Sequence, residues 1–172
     1  MIALFDNEEI GSLSKQGADS SMPVMILSKI WQSFGRTYTD CLSDITAGMM
    51  LSTDVAHAYH PNYAGVQDIT NYPVPNQGFC IKTACNQSYA TDCSLTASLI
   101  ALCQEEHIPV QRAVKHSNIR GGGTIGSMIS SHLPMPAADV GIGILAMHSA
   151  CEMMGIKDQE ALTRFVTAFF TK

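Results

Sequence analysis

Three places in this chain follow one pattern: a short apolar run ends, and a charged or imidazole side chain comes next. Ile2, Ala3, Leu4 and Phe5 run into Asp6, Asn7, Glu8 and Glu9, residues 47–53 run into Asp54, and residues 140–146 run into Met147 and His148. Short apolar runs of this kind read as buried strands. In open α/β sheets, the carboxyl ends of strands are where ligands and catalysis sit. If the three runs are neighbouring parallel strands, Glu8, Glu9, Asp54 and His148 meet at one edge of the sheet.

Between the runs the period changes. Val24, Leu27, Ile30, Trp31 and Phe34 recur at helical spacing behind Pro23, a residue suited to a first turn. Residues 35–44 are polar and read as loop or frayed helix. Residues 64–78 are punctuated by Gly65, Pro73, Pro75 and Gly78 and read as loop. A strand is expected over 79–84, carrying Lys82. A helix follows over 92–107, with Leu95, Leu99, Leu102 and Cys103 on one stripe. A strand over 110–114, a helix from Gly121 to Ser131 and a last helix over 158–170 complete the pattern. With 2–6 as the first strand, strand and helix patterns alternate, which favours an α/β sheet flanked by helices.

Composition narrows the function classes. At 172 residues with 46% hydrophobic and 15% charged side chains, the chain has the size and apolar content of one domain spanning 1–172. Net charge is −5 and the basic residues are scattered singly, so no nucleic-acid surface is expected. No apolar run approaches membrane-spanning length, and residues 2–5 are too few for a signal-peptide core. A cytoplasmic protein is therefore expected. The six cysteines form no Cys-x-x-Cys pair, and no role is assigned to them. A parallel sheet seldom begins with its catalytic strand, so the chain reads as the later portion of something larger.

The strand-end residues have a chemistry in common. Two adjacent carboxylates resist ionising together. A divalent metal removes that cost, with one carboxylate ligating it and the other positioned to take a proton from water. Glu8 and Glu9 read as such a base and ligand, in either order. Carboxylate and imidazole are ligands of zinc, manganese and cobalt, and two such ions sharing a carboxylate form a clamp for amide hydrolysis. Each residue also has an ordinary role: Asp54 as a turn or cap, His148 as a structural histidine, His57 as a loop residue, Lys82 as a surface lysine. The run Gly121, Gly122, Gly123 lacks a nucleotide-binding pattern and reads first as tight strand-to-helix packing.

Five ordered blocks resemble the aspartyl aminopeptidases, co-catalytic di-zinc exopeptidases: FDNEEIGS (5–12), DVAHAYHPNY (54–63), IKTACNQSYATD (81–92), GGTIG (122–126) and LAMHS (145–149). The resemblance implies a mixed, mostly parallel sheet flanked by helices, in the phosphorylase/hydrolase-like aminopeptidase architecture and incomplete at its N-terminal side. It implies Glu8 as general base, Glu9 and His148 as ligands of one zinc, and Asp54 as ligand of the second. His57 would steady the substrate carbonyl. Lys82 would receive the acidic side chain of an N-terminal Asp or Glu. Manganese or cobalt would fit the same ligands.

The family also uses a histidine and a bridging aspartate upstream of residue 2, and an inserted dimerisation segment. The chain is thus expected to be a C-terminal catalytic portion with weak or single zinc binding, inactive by itself, from a protein that forms homo-oligomers. Around Lys115, His116, Ser117 and Asn118 the family more often has an arginine and an aspartate. The rival expectations are a di-metal aminopeptidase or deacylase of other specificity, and a non-catalytic binding or assembly module.

Overall fold

The computed structural model describes residues 1–172. Its helices are α1 (Met22–Ser33), α2 (Tyr38–Ala47), α3 (Cys93–Glu105), α4 (Ile125–His132) and α5 (Ile156–Thr171). Its strands are β1 (Met50–His57), β2 (Phe79–Lys82), β3 (Val110–Ala113), β4 (Ala137–Leu145) and β5 (Met153–Met154). The strand order is β1-β4-β2-β3, with β5 added to β4. The longest ladder, β1 on β4, is parallel from Met50↔Ala137 to His57↔Ile144. β2 pairs in parallel with β3 and antiparallel with β4, and β5 is antiparallel to β4. The sheet is mixed, with its longer ladders parallel, as expected.

β4 explains the layering. Eight of its nine residues are buried, as befits a strand covered on both faces. Alternation sends Ala138, Val140, Ile142 and Ile144 to one face, where they join Phe79, Ile81, Leu95, Leu99, Leu162 and Phe165 in the main core under α3 and α5. Ser52, Lys82 and Asp139 take the opposite face beneath α4. There a second, smaller core joins Leu27, Cys41, Ile45, Ile129 and Leu133 from α1, α2 and α4.

Two expectations need correction, and one left open between loop and frayed helix is settled. No strand forms over 2–6: Ile2 and Leu4 stand 74% and 93% exposed, and only Phe5 packs, against the smaller core. A strand persists through a hydrogen-bonded neighbour, and none of the five strands lies beside this segment. Residues 35–44 are mostly helix α2, begun by a capping box in which Thr37 and Asp40 bond reciprocally. Only Cys41 and Ile45 are buried in it, too few apolar positions for a periodic signal. The run 47–53 splits at Gly48, which caps α2. The strand then continues past Asp54 to His57, because β4 pairs with all of it. Asp54 is therefore an in-strand residue.

Phe165 is fully buried and stacks on Phe79 with ring centroids 4.3 Å apart. Phe165→Ala is expected to cost about 3–5 kcal/mol of unfolding free energy, measured by urea denaturation.

Candidate functional site

A cleft of about 170 Å³ opens where β1 and β4 end, and its walls include Glu8, Glu9, Asp54, His57, Lys82 and His148. All six residues singled out from the sequence therefore line one cavity. Tyr89, Lys115, Gly122, Gly123 and Thr124 line it as well.

Two strained turns bring in the glutamates and His148. Glu8 and Glu9 sit on a one-turn 3-10 helix, Glu8–Ile10, between Asn7 (φ 62°) and Gly11 (φ 102°), both left-handed. Asn and Gly tolerate that conformation best. The turn is closed by the Gly11 N–H donating to Glu8 O (3.0 Å) and the Ser12 N–H to Asn7 O (2.9 Å). Beyond β4, Ala146 (φ 57°) and His148 (φ 66°) are also left-handed. The His148 N–H donates to Glu152 Oε1 at 2.6 Å, which holds this backbone in place. Such strain away from glycine is commonest at functional sites.

The outcome is His148 Nε2 lying 3.3 Å from Glu9 Oε2, with both side chains about two-thirds exposed or more. Two ligands bonded to one tetrahedral zinc at about 2.0–2.1 Å stand about 3.3 Å apart, so the pair fits one edge of such a site. No third His, Cys, Asp or Glu completes a metal-holding group with them. Glu9 and His148 are thus a fitting but partial donor set.

Asp54 is engaged otherwise. The Lys82 ammonium donates to Asp54 Oδ2 (3.3 Å) and to the Val55 carbonyl (3.1 Å), and stands 5.3 Å from the Tyr89 ring centroid. Lys82 is only 2% exposed, so it is no snorkelling surface lysine. The register explains the reach. Lys82 pairs with Asp139, Asp54 with Gly141 two residues further along β4, and all four share one face.

Partial burial, then the charges of Lys115, His148 and Lys82, holds the His57 imidazole below the ordinary histidine value. Its ring is therefore readily neutral, with one nitrogen donating and one accepting. The Gln67 amide anchors this strand end by donating to the His57 carbonyl at 3.1 Å. Glu8 is raised from the ordinary carboxylate value by partial burial and by the negative charges of Asp54 and Glu9, against the opposing pull of Lys82 and His148.

Asp139 escaped the reading of the sequence. It is fully buried and accepts from the Thr124 hydroxyl (2.6 Å) and the Ala90 N–H (2.6 Å). It thereby ties down both the glycine-rich loop and the loop carrying Tyr89. The available signal was an acid at the start of an otherwise apolar run. Tight helix-to-strand packing falls to Gly126, not to the Gly121–Gly123 triplet: a Cβ on Gly126 would lie 2.6 Å from Asp139 Oδ1.

Solved structures with this arrangement are zinc-peptidase folds. Yeast aminopeptidase 1 superposes with a TM-score of 0.84 at 32% identity, over 97% of this chain and 37% of that one. The crystal structure of prApe1 gives 0.92 at 35% identity, over 97% and 35%. The chain belongs to the aminopeptidase I zinc metalloprotease (M18) family, whose model matches residues 1–170. A probable M18 family aminopeptidase 2 of Clostridium novyi is 42% identical over 158 residues, 92% of this chain and 36% of its own length. Its namesake in Mycobacterium tuberculosis is 37% identical over 171 residues, 99% of this chain and 40% of its own length. The chain thus spans about two fifths of the length of the curated relatives it matches.

Lys115→Met is expected to raise the pH at which His57 titrates, read from its ring-proton NMR signals; an unchanged midpoint would contradict the charge argument. Because the folded imidazole binds a proton less readily than the unfolded one, its contribution to stability is lost as pH falls below about 6.5. Asp139→Ala leaves the Thr124 hydroxyl and Ala90 amide without acceptors. It should cost about 2–4 kcal/mol in a denaturant titration.

Proposed function

We propose that this chain is the C-terminal catalytic portion of a metallo-aminopeptidase that removes N-terminal Asp or Glu from peptides. The observation that carries the reading is the Glu9–His148 pair, spaced at 3.3 Å as ligands on one zinc. Zinc held there supplies Lewis-acid polarisation of the scissile carbonyl and an acidified water. Glu8, raised from the ordinary carboxylate value, would take a proton from the attacking water and pass it to the leaving amine. His57 donates its ring N–H to the carbonyl oxygen as negative charge builds there. In the whole protein Asp54 would be a donor for a second ion, sharing its carboxylate with Lys82.

Lys82 has three ammonium hydrogens, two of them engaged by Asp54 and Val55, and directs the third to the acidic side chain of the substrate. No helix is long and apolar enough to cross a membrane. One solved relative, the yeast protein mApe1, is a dodecamer, and we extend homo-oligomerisation to the whole protein here.

A second reading, a non-catalytic assembly module, is favoured by the absence of a third metal donor beside Glu9 and His148. Metal content and turnover separate the two. The chain alone is expected to take up one zinc ion, to lose it in His148→Ala, and to show no turnover. Mixed with the N-terminal portion of an M18 relative, it should cleave aspartyl-p-nitroanilide well ahead of the asparaginyl analogue. No zinc uptake, or zinc uptake without cleavage in the mixture, favours the module. Equal rates on both substrates would point to an aminopeptidase of other specificity.

A further inference from the structure

We infer that Lys115 is a second receptor for a carboxylate of the peptide substrate, working beside Lys82 in the same cleft. The inference rests on the aminopeptidase reading for the identity of its ligand, but not for the existence of the site.

The two ammonium groups of the cleft differ in what they have left to offer. Lys82 is almost wholly buried and already serves Asp54 and the Val55 carbonyl. Lys115 lines the cleft with Glu8, His57 and Lys82, yet it belongs to none of the six ion pairs of the molecule. Its side chain also takes part in no hydrogen bond. A partly buried ammonium has given up hydration, and here burial alone pulls its pKa down, with no acid offsetting it. A charge left in that state gains most from an arriving anion.

The position is built rather than incidental. Lys115 forms an isolated antiparallel bridge with Gln67, a buried residue whose amide holds the His57 carbonyl. Backbone bonds on either side, from the Asp68 N–H to Val114 O (3.0 Å) and from the His116 N–H to Val66 O (3.1 Å), fix its backbone. Gly121 borders the stem, since a Cβ there would stand 3.5 Å from Lys115 Cδ. Lys115 and His57, the residue assigned to the substrate carbonyl, line the same cleft, and the positive charge of Lys115 helps hold the imidazole below its ordinary value. A carboxylate that bridges toward Lys115 lies over the acyl side of the cleft, where the N-terminal residue of a peptide sits. Its side chain is the carboxylate assigned; the C-terminus of a short peptide is the other source of the same chemistry.

The test is an NMR titration of the chain, with and without zinc, following the backbone amides of Gly121, Gly122 and Gly123. The probes are L-aspartic acid α-amide (side-chain carboxylate), L-alanyl-L-alanine (C-terminal carboxylate) and L-alaninamide (neither). Lys115→Met should weaken L-aspartic acid α-amide binding about tenfold or more. Lys115→Arg should retain it, and L-alaninamide should not distinguish the variants. If the loss falls on the dipeptide instead, Lys115 is still a carboxylate receptor, assigned to the C-terminus. Equal binding of both carboxylate probes to wild type and Lys115→Met, or no binding to wild type, overturns the inference. A matching amide spectrum confirms that Lys115→Met is folded. Failure of zinc uptake would remove the aminopeptidase reading and leave this titration standing.

Discussion

An ammonium with almost no contact with water lies beneath the cleft, and most of the site depends on how Lys82 is tolerated there. Burying such a charge alone costs several kcal/mol even after relaxation. Asp54 Oδ2 and the Val55 carbonyl offset that cost, and the Tyr89 ring lies 5.3 Å from the charge. Asp54 and Val55 come from β1 and Tyr89 from the loop before α3, so the charge on β2 draws these stretches together. The same contact sets how much of Asp54 is free for a metal ion, and coordination there would have to share the carboxylate with Lys82.

The two faces of the sheet do different work. Under α3 and α5 the side chains are aliphatic and aromatic, and Phe79 on Phe165 is a dense centre of apolar packing. Under α4 the face is polar: Ser52, Lys82, Asp139 and Asp54 follow one another along the paired strands. A helix packs closely on such a face only if it brings little bulk, and α4 does so at Gly126, against Asp139 and Ser52. The polar face then leads out to the cleft, where Lys82 joins Asp54 and Asp139 holds Thr124 and Ala90, while the buried Ser52 hydroxyl has no partner.

Much of this was legible in the residues. The helix stripes of α1, α3 and α5 and the strands β2, β3 and β4 follow their apolar periods closely. Glu8, Glu9, Asp54 and His148 do share one cleft, although of the four only His148 stands beyond the end of a strand. Residues 2–6 misled because apolar content signals burial, whereas a strand also needs a neighbour, which composition cannot report. Helix α2 was hidden because its start depends on a Thr37–Asp40 exchange of hydrogen bonds and not on an apolar stripe. Asp139 and Gln67 were hidden for a related reason: each acts through partners elsewhere in the chain, and the one local mark, an acid heading the apolar run of β4, does not say what Asp139 holds. The two-residue strand β5 carries too short a pattern to read.

The reversal of β2 relative to β4 has a consequence for how the sheet assembles. Lys82 is matched to Asp139, and its stem spans the two-residue offset to Asp54. Sliding β2 by one residue would turn Lys82 to the opposite side, among Val140, Leu95 and Phe165, with no carboxylate in reach. The penalty for an uncompensated ammonium in an aliphatic interior far exceeds that for a few misplaced ladder bonds. The lysine thus acts as a proofreader of strand alignment, since a sheet closed in the wrong register would bury its charge without a counter-ion.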